Sequence, residues 1–318
     1  MPLPLAVFLD AGSVGHADLG PLHQLQVELQ LFPETNTEQI VERLQNATIA
    51  IVNKTVLNAE ILQQLPQLKY IAVTATGINN IDMRAAQQAG IQVQNAEHYA
   101  TASVAQHVFA LLLQLTNQCQ AYQQAIQQGR WSQSPHFCLL DYPMIELAGK
   151  TFGIIGYGTL GQATGQLARA FGMQVIIAER PGASCRSGRV PFEQALSSAD
   201  IISLHCPLTH DNHHLIGSKQ LAMMKKTAIL INTARGALVD MPAVLNALAA
   251  ETLYAAAFDV LDKEPPPSDH PALSSSHPRL LLSPHVAWAT AEARNRLMQQ
   301  VAYDLKQWLL AYNTVQHE

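Results

Sequence analysis

Thr151-Phe152-Gly153-Ile154-Ile155-Gly156-Tyr157-Gly158-Thr159-Leu160-Gly161 is the stretch that decides the fold of this 318-residue chain. Its first five residues read as a buried strand, which runs straight into a G-x-G-x-x-G turn. A helix-like stretch, 162–171, comes next. In such a turn Gly156 permits the tight reversal, Gly158 lets the backbone approach a pyrophosphate, and Gly161 lets the helix pack close on the strand. The amides that open the helix form an anion site. The glycine pattern alone is a weak signal. Here a second strand, 174–178, ends at Glu179, 18 residues beyond Gly161, where a carboxylate can accept hydrogen bonds from the adenosine ribose. Strand, glycines, helix, strand and acid in that order point to a dinucleotide.

Outward from this point, short apolar runs alternate with helical patterns almost throughout, which predicts an α/β architecture with parallel sheets. Residues 5–9, 48–52 and 69–73 read as strands, with helix-like partners at 38–44, 59–65 and 82–89. This set suffices for a small sheet of its own. A long amphipathic helix is expected over 101–125, with Val104, Val108, Leu111, Leu112 and Leu115 at helical spacing. The segment 128–143 is irregular and aromatic, and a last helix is expected near 289–312.

Three further strands, 227–231, 254–258 and 280–282, are followed closely by Arg235, Glu264 and His285. Open α/β sheets bind ligands at the carboxyl ends of their strands, so these three side chains are expected to converge. They suit the reduction of a 2-keto acid. Arginine offers a fork that matches a carboxylate. Histidine titrates near neutrality and can give a proton to the keto oxygen. A carboxylate bonded to the other ring nitrogen fixes the tautomer and favours the protonated ring.

Composition narrows the alternatives. With 48% apolar and 14% charged residues the chain reads as globular. The formal charge of −5 supplies no basic footprint for nucleic acid. No apolar run is long enough for a membrane span, and Met1-Pro2-Leu3-Pro4 has no positive export signal, so a cytoplasmic location is expected. The four cysteines show no C-x-x-C spacing, and the histidines at 210, 213 and 214 read as a polar loop, so no metal is expected.

Together these segments resemble the D-isomer specific 2-hydroxyacid dehydrogenases. The resemblance is carried by 156–161, Leu204-His205-Cys206-Pro207-Leu208-Thr209, Ile231-Asn232-Thr233-Ala234-Arg235-Gly236, Phe258-Asp259-Val260 with Glu264-Pro265, Pro284-His285, and Ala75-Thr76-Gly77-Ile78-Asn79-Asn80-Ile81-Asp82. Finer matches, Phe137-Cys138, Asp141-Tyr142-Pro143, Ala178-Glu179-Arg180 and His285-Val286-Ala287-Trp288-Ala289, resemble the glycerate dehydrogenase (hydroxypyruvate reductase) branch of that family.

The resemblance implies two Rossmann-like domains, parallel sheets flanked by helices, with the active site in the interdomain cleft. Residues 1–100 plus 288–318 would form the substrate domain and 101–287 the NAD-binding domain. Arg235, Glu264 and His285 would be catalytic. NAD would be held by Gly156, Tyr157, Gly158, Thr159, Leu160, Gly161, Glu179, Arg180, Cys206, Pro207, Thr233, Ala234, Asp259 and Ala287. The substrate would meet Thr76, Gly77, Arg235, His285 and Trp288. Asp259 and the Ala287 carbonyl would hold the nicotinamide amide. Glu179 would favour NADH over NADPH, while Arg180 would either help a 2′-phosphate or pack on the adenine.

The expected partners are a small 2-keto or 2-hydroxy acid and a second copy in a homodimer built on the helix that starts near Thr101. Hydroxypyruvate, reduced to D-glycerate, is the expected substrate. The alternatives are glyoxylate, pyruvate or 3-phosphohydroxypyruvate, or a dinucleotide-sensing protein of the same fold without catalysis. Family members commonly carry an acid where this chain has Gln106, so no role is assigned there.

Overall fold

Runs of β-branched and aliphatic residues form the strands of two parallel sheets in the computed structural model, which describes residues 3–315. The chain divides into two compact units, Met1–Ala100 with Trp288–Glu318, and Thr101–Ala287.

In the first unit the elements run β1 (Leu5–Phe8), α1 (Gly20–His23), β2 (Glu28–Leu31), α2 (Ile40–Leu44), β3 (Ile49–Val52), α3 (Ala59–Gln63), β4 (Tyr70–Val73), α4 (Met83–Gln88) and β5 (Gln92–Asn95). The sheet order is β2-β1-β3-β4-β5, all neighbours parallel. β3 and β4 are wholly buried, as continuous apolar runs between two layers of helices require. The flanking β2 and β5, Glu-Leu-Gln-Leu and Gln-Val-Gln-Asn, are half-exposed edges.

The second unit begins with α5 (Thr101–Asn117) and α6 (Cys119–Gln127). It continues as β6 (Thr151–Ile155), α7 (Thr159–Ala170), β7 (Gln174–Ala178), α8 (Phe192–Ser198), β8 (Ile201–Leu204), α9 (Ser218–Met223), β9 (Ile229–Asn232), α10 (Met241–Ala249), β10 (Ala255–Phe258), α11 (Pro271–Ser274) and β11 (Leu280–Leu282). Its six-stranded parallel sheet has the order β11-β10-β9-β8-β6-β7. The chain leaves β6 in one direction for β7 and returns on the other side for β8. This reversal opens a crevice at the carboxyl ends of β6 and β8. One face of the sheet packs on Val108, Leu112, Leu115, Phe152 and Ile154, and the other on Leu196, Leu204, Leu230, Val244 and Leu248, all buried. Burying side chains of this size stabilises the fold by roughly 1.5–3 kcal/mol each.

The last helix, α12 (Ala291–Val315), packs against α1 and β4 of the first unit. Trp308 lies against Tyr70 with ring centroids 4.9 Å apart, and Arg296 Nε donates to the Tyr99 carbonyl at 2.9 Å.

The single helix expected over 101–125 is two helices. Gln118 breaks it with left-handed backbone, φ +52°, and its side-chain amide donates back to the Leu115 carbonyl. The amide of Ile145 meets the Thr116 carbonyl at 2.9 Å, so the end of α5 is tied to the returning chain rather than continued.

Candidate active site

The glycine turn after β6 is shaped by backbone packing. Gly156 has φ +95°, and a Cβ there would lie 2.4 Å from the amide nitrogen of Cys206, in the loop after β8. A Cβ on Gly161 would lie 2.2 Å from the Gly156 carbonyl oxygen. Both positions therefore admit only glycine without a backbone shift. Gly158 differs: nothing in the protein lies within 4 Å of where its Cβ would be. It caps α7, whose first residues are Thr159, Leu160 and Gly161, while the Tyr157 ring lies close to Gly165 along the same helix.

These features fit a dinucleotide. The open approach at Gly158 faces solvent at the start of a twelve-residue helix, where amides and dipole favour a phosphate. After β9, the hydroxyl of Thr233 is buried with no partner among protein atoms, in the segment expected to line the cofactor. Cys206 and Pro207 follow β8 beside Gly156, Cys206 half-buried and Pro207 exposed. Burial pushes the Cys206 thiol up from its ordinary value.

Glu179 occupies the end of β7 as expected, but its carboxylate does not lie open. It is 3% exposed. Arg186 grips it with Nε at 2.6 Å and Nη2 at 2.5 Å, and the amides of Arg180 and Arg186 donate to the same oxygens at 2.9 and 3.3 Å. The Arg186 bonds above all, with the Arg180 amide, hold this carboxyl well below the usual carboxylate range. Arg180 itself is exposed.

Arg235, Glu264 and His285 follow three adjacent strands, β9, β10 and β11. Asn232, wholly buried at the end of β9, shapes the first loop: its side chain accepts from the Ala234 amide at 3.0 Å and donates to the Arg235 carbonyl at 2.9 Å. The Arg235 side chain, in turn, donates to the Ala234 carbonyl. Gly236 seats this loop against the next, since a Cβ there would lie 1.9 Å from the carbonyl carbon of Leu261. Leu261 donates its amide to Glu264 Oε1 at 2.9 Å. The other oxygen, Oε2, lies 2.6 Å from His285 Nδ1. The pair is partly open, at 30% for the histidine and 33% for the glutamate. An ionised Glu264 accepts from Nδ1–H, so the ring presents Nε2 for proton exchange.

His285 has φ +54°, a conformation uncommon outside glycine, asparagine, aspartate and histidine. Asp259 fastens it there. The Asp259 carbonyl accepts from the His285 amide at 2.8 Å, and its buried carboxylate takes the amides of Val286 and Ala287 at 2.9 and 2.8 Å and the Ser283 hydroxyl at 2.6 Å. Burial alone would raise this carboxyl; bonds from His107, Ser283 and the two amides outweigh it and hold the group below its ordinary value. Sequence reasoning placed Asp259 on the cofactor and missed this fastening. It also missed Ser103 and His107. They lie four residues apart on one face of α5, where Ser103 donates to the Ala287 carbonyl at 2.6 Å and His107 Nε2 lies 2.9 Å from Ser283 Oγ. Their i, i+4 spacing was the one available signal.

In the first unit Thr76 and Gly77 follow β4. The Thr76 hydroxyl donates to the Ala96 carbonyl at 3.0 Å, and Asn95 donates to the Thr76 carbonyl at 2.8 Å. Trp288 meets the edge of Tyr99, ring centroids 6.4 Å apart. Of the loop histidines, His210 is fully exposed beside Asp211, and His213 lies against His214, whose amide donates to the Ala237 carbonyl at 2.8 Å.

Comparison with known proteins agrees with this geometry. Residues 109–287 match the family model described as D-isomer specific 2-hydroxyacid dehydrogenase, NAD binding domain. The chain is 45% identical over 264 residues to the glycerate dehydrogenase of Methylorubrum extorquens, covering 83% of each. It is 36% identical over 281 residues to the hydroxypyruvate reductase of Blautia hydrogenotrophica, covering 86% of each. Its structure superposes on the apo form of D-lactate dehydrogenase from Escherichia coli with a TM-score of 0.81 and 27% identity, over 97% of this chain and 98% of that one. With its glycine turn, its histidine–carboxylate pair and these relatives, the chain belongs to the D-isomer specific 2-hydroxyacid dehydrogenases, a family of NAD-dependent oxidoreductases that act on the CH–OH group.

Proposed function

We propose that this protein reduces hydroxypyruvate to D-glycerate, with Arg235, Glu264 and His285 as its catalytic residues. The observation that carries the chemistry is the 2.6 Å contact between His285 Nδ1 and Glu264 at the carboxyl end of the sheet. The observation that favours this substrate is the 45% identity to a glycerate dehydrogenase, supported by the 36% identity to a hydroxypyruvate reductase. NADH, when bound, supplies the hydride.

The chain's own groups do the rest. Arg235 pairs with the substrate carboxylate and polarises the keto oxygen. His285 gives the proton on Nε2 to that oxygen, becoming neutral as the alcohol forms. In the reverse direction it takes the proton back. Glu264 accepts from Nδ1–H and so fixes the tautomer and the ring's orientation. Asp259, Ser283 and the Ser103 hydroxyl keep the 285–287 turn rigid, so the ring is already aimed when substrate arrives. Residues 156–161 would hold the pyrophosphate of the dinucleotide, Cys206 and Pro207 would flank its adenosine, Thr233 and Ala234 would line it, and Asp259 and the Ala287 carbonyl would meet the nicotinamide amide. Thr76, Gly77 and Trp288 are assigned to substrate binding on the family resemblance alone. Residues 101–287 act as the NAD-binding domain and the remainder as the substrate domain.

A homodimer in the cytoplasm completes the reading. All four cysteines are free, which suits a reducing compartment. The 128–143 segment exposes Trp131, Phe137 and Leu140, with Phe137 at 91%, a surface suited to a second copy of this chain. No helix among the described residues is long and apolar enough to cross a membrane.

The test is kcat/KM for hydroxypyruvate, glyoxylate, pyruvate and 3-phosphohydroxypyruvate at saturating NADH. Hydroxypyruvate is expected to be best, and pyruvate poorer by as much as about 10⁴-fold if the site hydrogen-bonds the extra hydroxyl. Equal values for hydroxypyruvate and pyruvate, or a preference for the phosphorylated acid, overturn the substrate assignment.

A further inference from the structure

The segment after β7 carries an arrangement that the proposed reaction does not use. Residues 180–189 form a loop closed at its base, where Ala178 bridges Val190 and the Glu179 amide donates to the Val190 carbonyl at 2.9 Å. Three arginines stand in or beside it, at 180, 186 and 189, against the one carboxylate of Glu179, leaving two net positive charges. Arg189 Nη1 lies 3.6 Å from Glu179 Oε1, in addition to the Arg186 fork.

The fork has a direction. Arg186 spends Nε and Nη2 on the two carboxylate oxygens. A guanidinium carries five N–H donors in a fixed plane. The edge turned away from Glu179 therefore keeps the Nη1 donors, and the Arg186 side chain is 57% exposed while that of Glu179 is 2% exposed. A ligand that reaches the end of β7 meets a braced arginine before it meets the acid.

We propose that Glu179 is the anchor of Arg186 and that Arg186, with Arg180 and Arg189, receives the 2′-phosphate of NADPH, so that the protein takes NADPH at least as well as NADH. This inference rests on the placement of the adenosine ribose at the end of β7. It reverses the preference that an open Glu179 carboxylate would impose. Arginine suits the role because its planar fork matches a phosphate and is here held in place by its other edge. Glu179 is a positioning residue in this arrangement, acting through Arg186.

The test uses nucleotides that lack nicotinamide and cannot turn over. The purified protein is titrated calorimetrically with 2′,5′-ADP and with 5′-AMP, at low and at raised salt. The expected result is tighter binding of 2′,5′-ADP by about tenfold, as one added charge-assisted contact implies, with the margin shrinking as salt rises. Arg186→Gln removes the margin and leaves 5′-AMP binding unchanged or stronger. Glu179→Ala also reduces the margin, because the anchor is lost. Both variants are checked for an unchanged melting temperature, and the comparison in the unaltered protein stands without them. Weaker binding of 2′,5′-ADP than of 5′-AMP, improving in Glu179→Ala, overturns the proposal and leaves the ribose seat standing. Binding of neither nucleotide overturns the seat itself and the proposal with it.

Discussion

Gly158 and Gly161 lie three residues apart in one turn, yet alanine at each is expected to do opposite things. At Gly161 the added Cβ would sit 2.2 Å from the Gly156 carbonyl oxygen and 3.2 Å from a methyl of Ile154. Carbon and oxygen need more than an extra ångström, and both sides of the clash are backbone, so either α7 or the turn must move. Overpacking of this kind costs roughly 1–3 kcal/mol. The gain in helix propensity from Gly to Ala, about 1 kcal/mol, offsets part of it. The net loss is at most about 2 kcal/mol, a fall in melting temperature of up to about 8 °C at about 2–4 °C per kcal/mol.

At Gly158 the backbone, φ −81° and ψ −163°, is open to any L residue, and the Cβ would meet no protein atom within 4 Å. Gly158→Ala is therefore expected to melt at or slightly above the unaltered temperature. What it blocks is the approach of a phosphate to the amides that open α7. Losing one hydrogen bond to a charged group removes about 1.5–3 kcal/mol, so NADH should bind about ten- to a hundredfold more weakly. The assay is a thermal melt of each variant without and with NADH, beside a fluorescence titration of NADH. The Gly158 variant should keep its apo melting temperature and lose most of the NADH-induced rise. Unaltered NADH affinity in Gly158→Ala, or a fall in its apo melting temperature as large as that of Gly161→Ala, would refute the reasoning.

His285→Asn, which keeps a side chain tolerant of the left-handed backbone at φ +54°, is expected to lower kcat by about 10²–10⁴-fold while NADH titration stays near normal; near-normal turnover would remove the proton-donor assignment. Glu264→Gln keeps a hydrogen-bonding group beside Nδ1 but removes the charge-assisted bond, worth about 1.5–3 kcal/mol, so kcat should fall about ten- to a hundredfold while NADH titration stays near normal; unaltered kcat would show that Glu264 does not hold the ring. His205, between Ser203 and the Gly156 turn, is pushed down to about 4 by burial, from an ordinary 6.5. The unfolded chain therefore takes the proton first, and stability should fall as pH drops from about 6.5 to about 4. For a ring only partly covered by protein the effect is on the order of 2 kcal/mol. Melts at pH 7 and pH 5 of the unaltered protein and of His205→Asn should show the smaller acid loss in the variant, and equal losses would contradict the assignment.

Local pattern alone determined a good deal. The glycines and apolar run of 151–161 announce a strand-turn-helix because each glycine answers a demand of the backbone within a few residues. Arg235, Glu264 and His285 were legible because each follows an apolar run that can only be a strand, and strand ends are where a parallel sheet gathers its ligands. The edge strands β2 and β5 were not legible. An edge is half-solvated, so Glu-Leu-Gln-Leu and Gln-Val-Gln-Asn carry no continuous apolar signal. Nor was the break at Gln118, where a long-range tie from Ile145 overrides a periodicity that continues on both sides.

The partners of the site residues were decided only in three dimensions. Asp259 was readable as an acid at a strand end, but its work on the His285 turn depends on Ser283, 24 residues away, and its contact with His107 spans 152. Gly236 gave no sign that Leu261 would close on it. Glu179 was readable as the acid after the second strand, while the arginine that covers it belongs to a loop with no periodicity to predict its path. A sequence pattern records what each residue requires of its own backbone and of the layer it faces. Which donor reaches a given acceptor is fixed by the packing of elements distant in the chain, and that packing exists only once the sheets have formed.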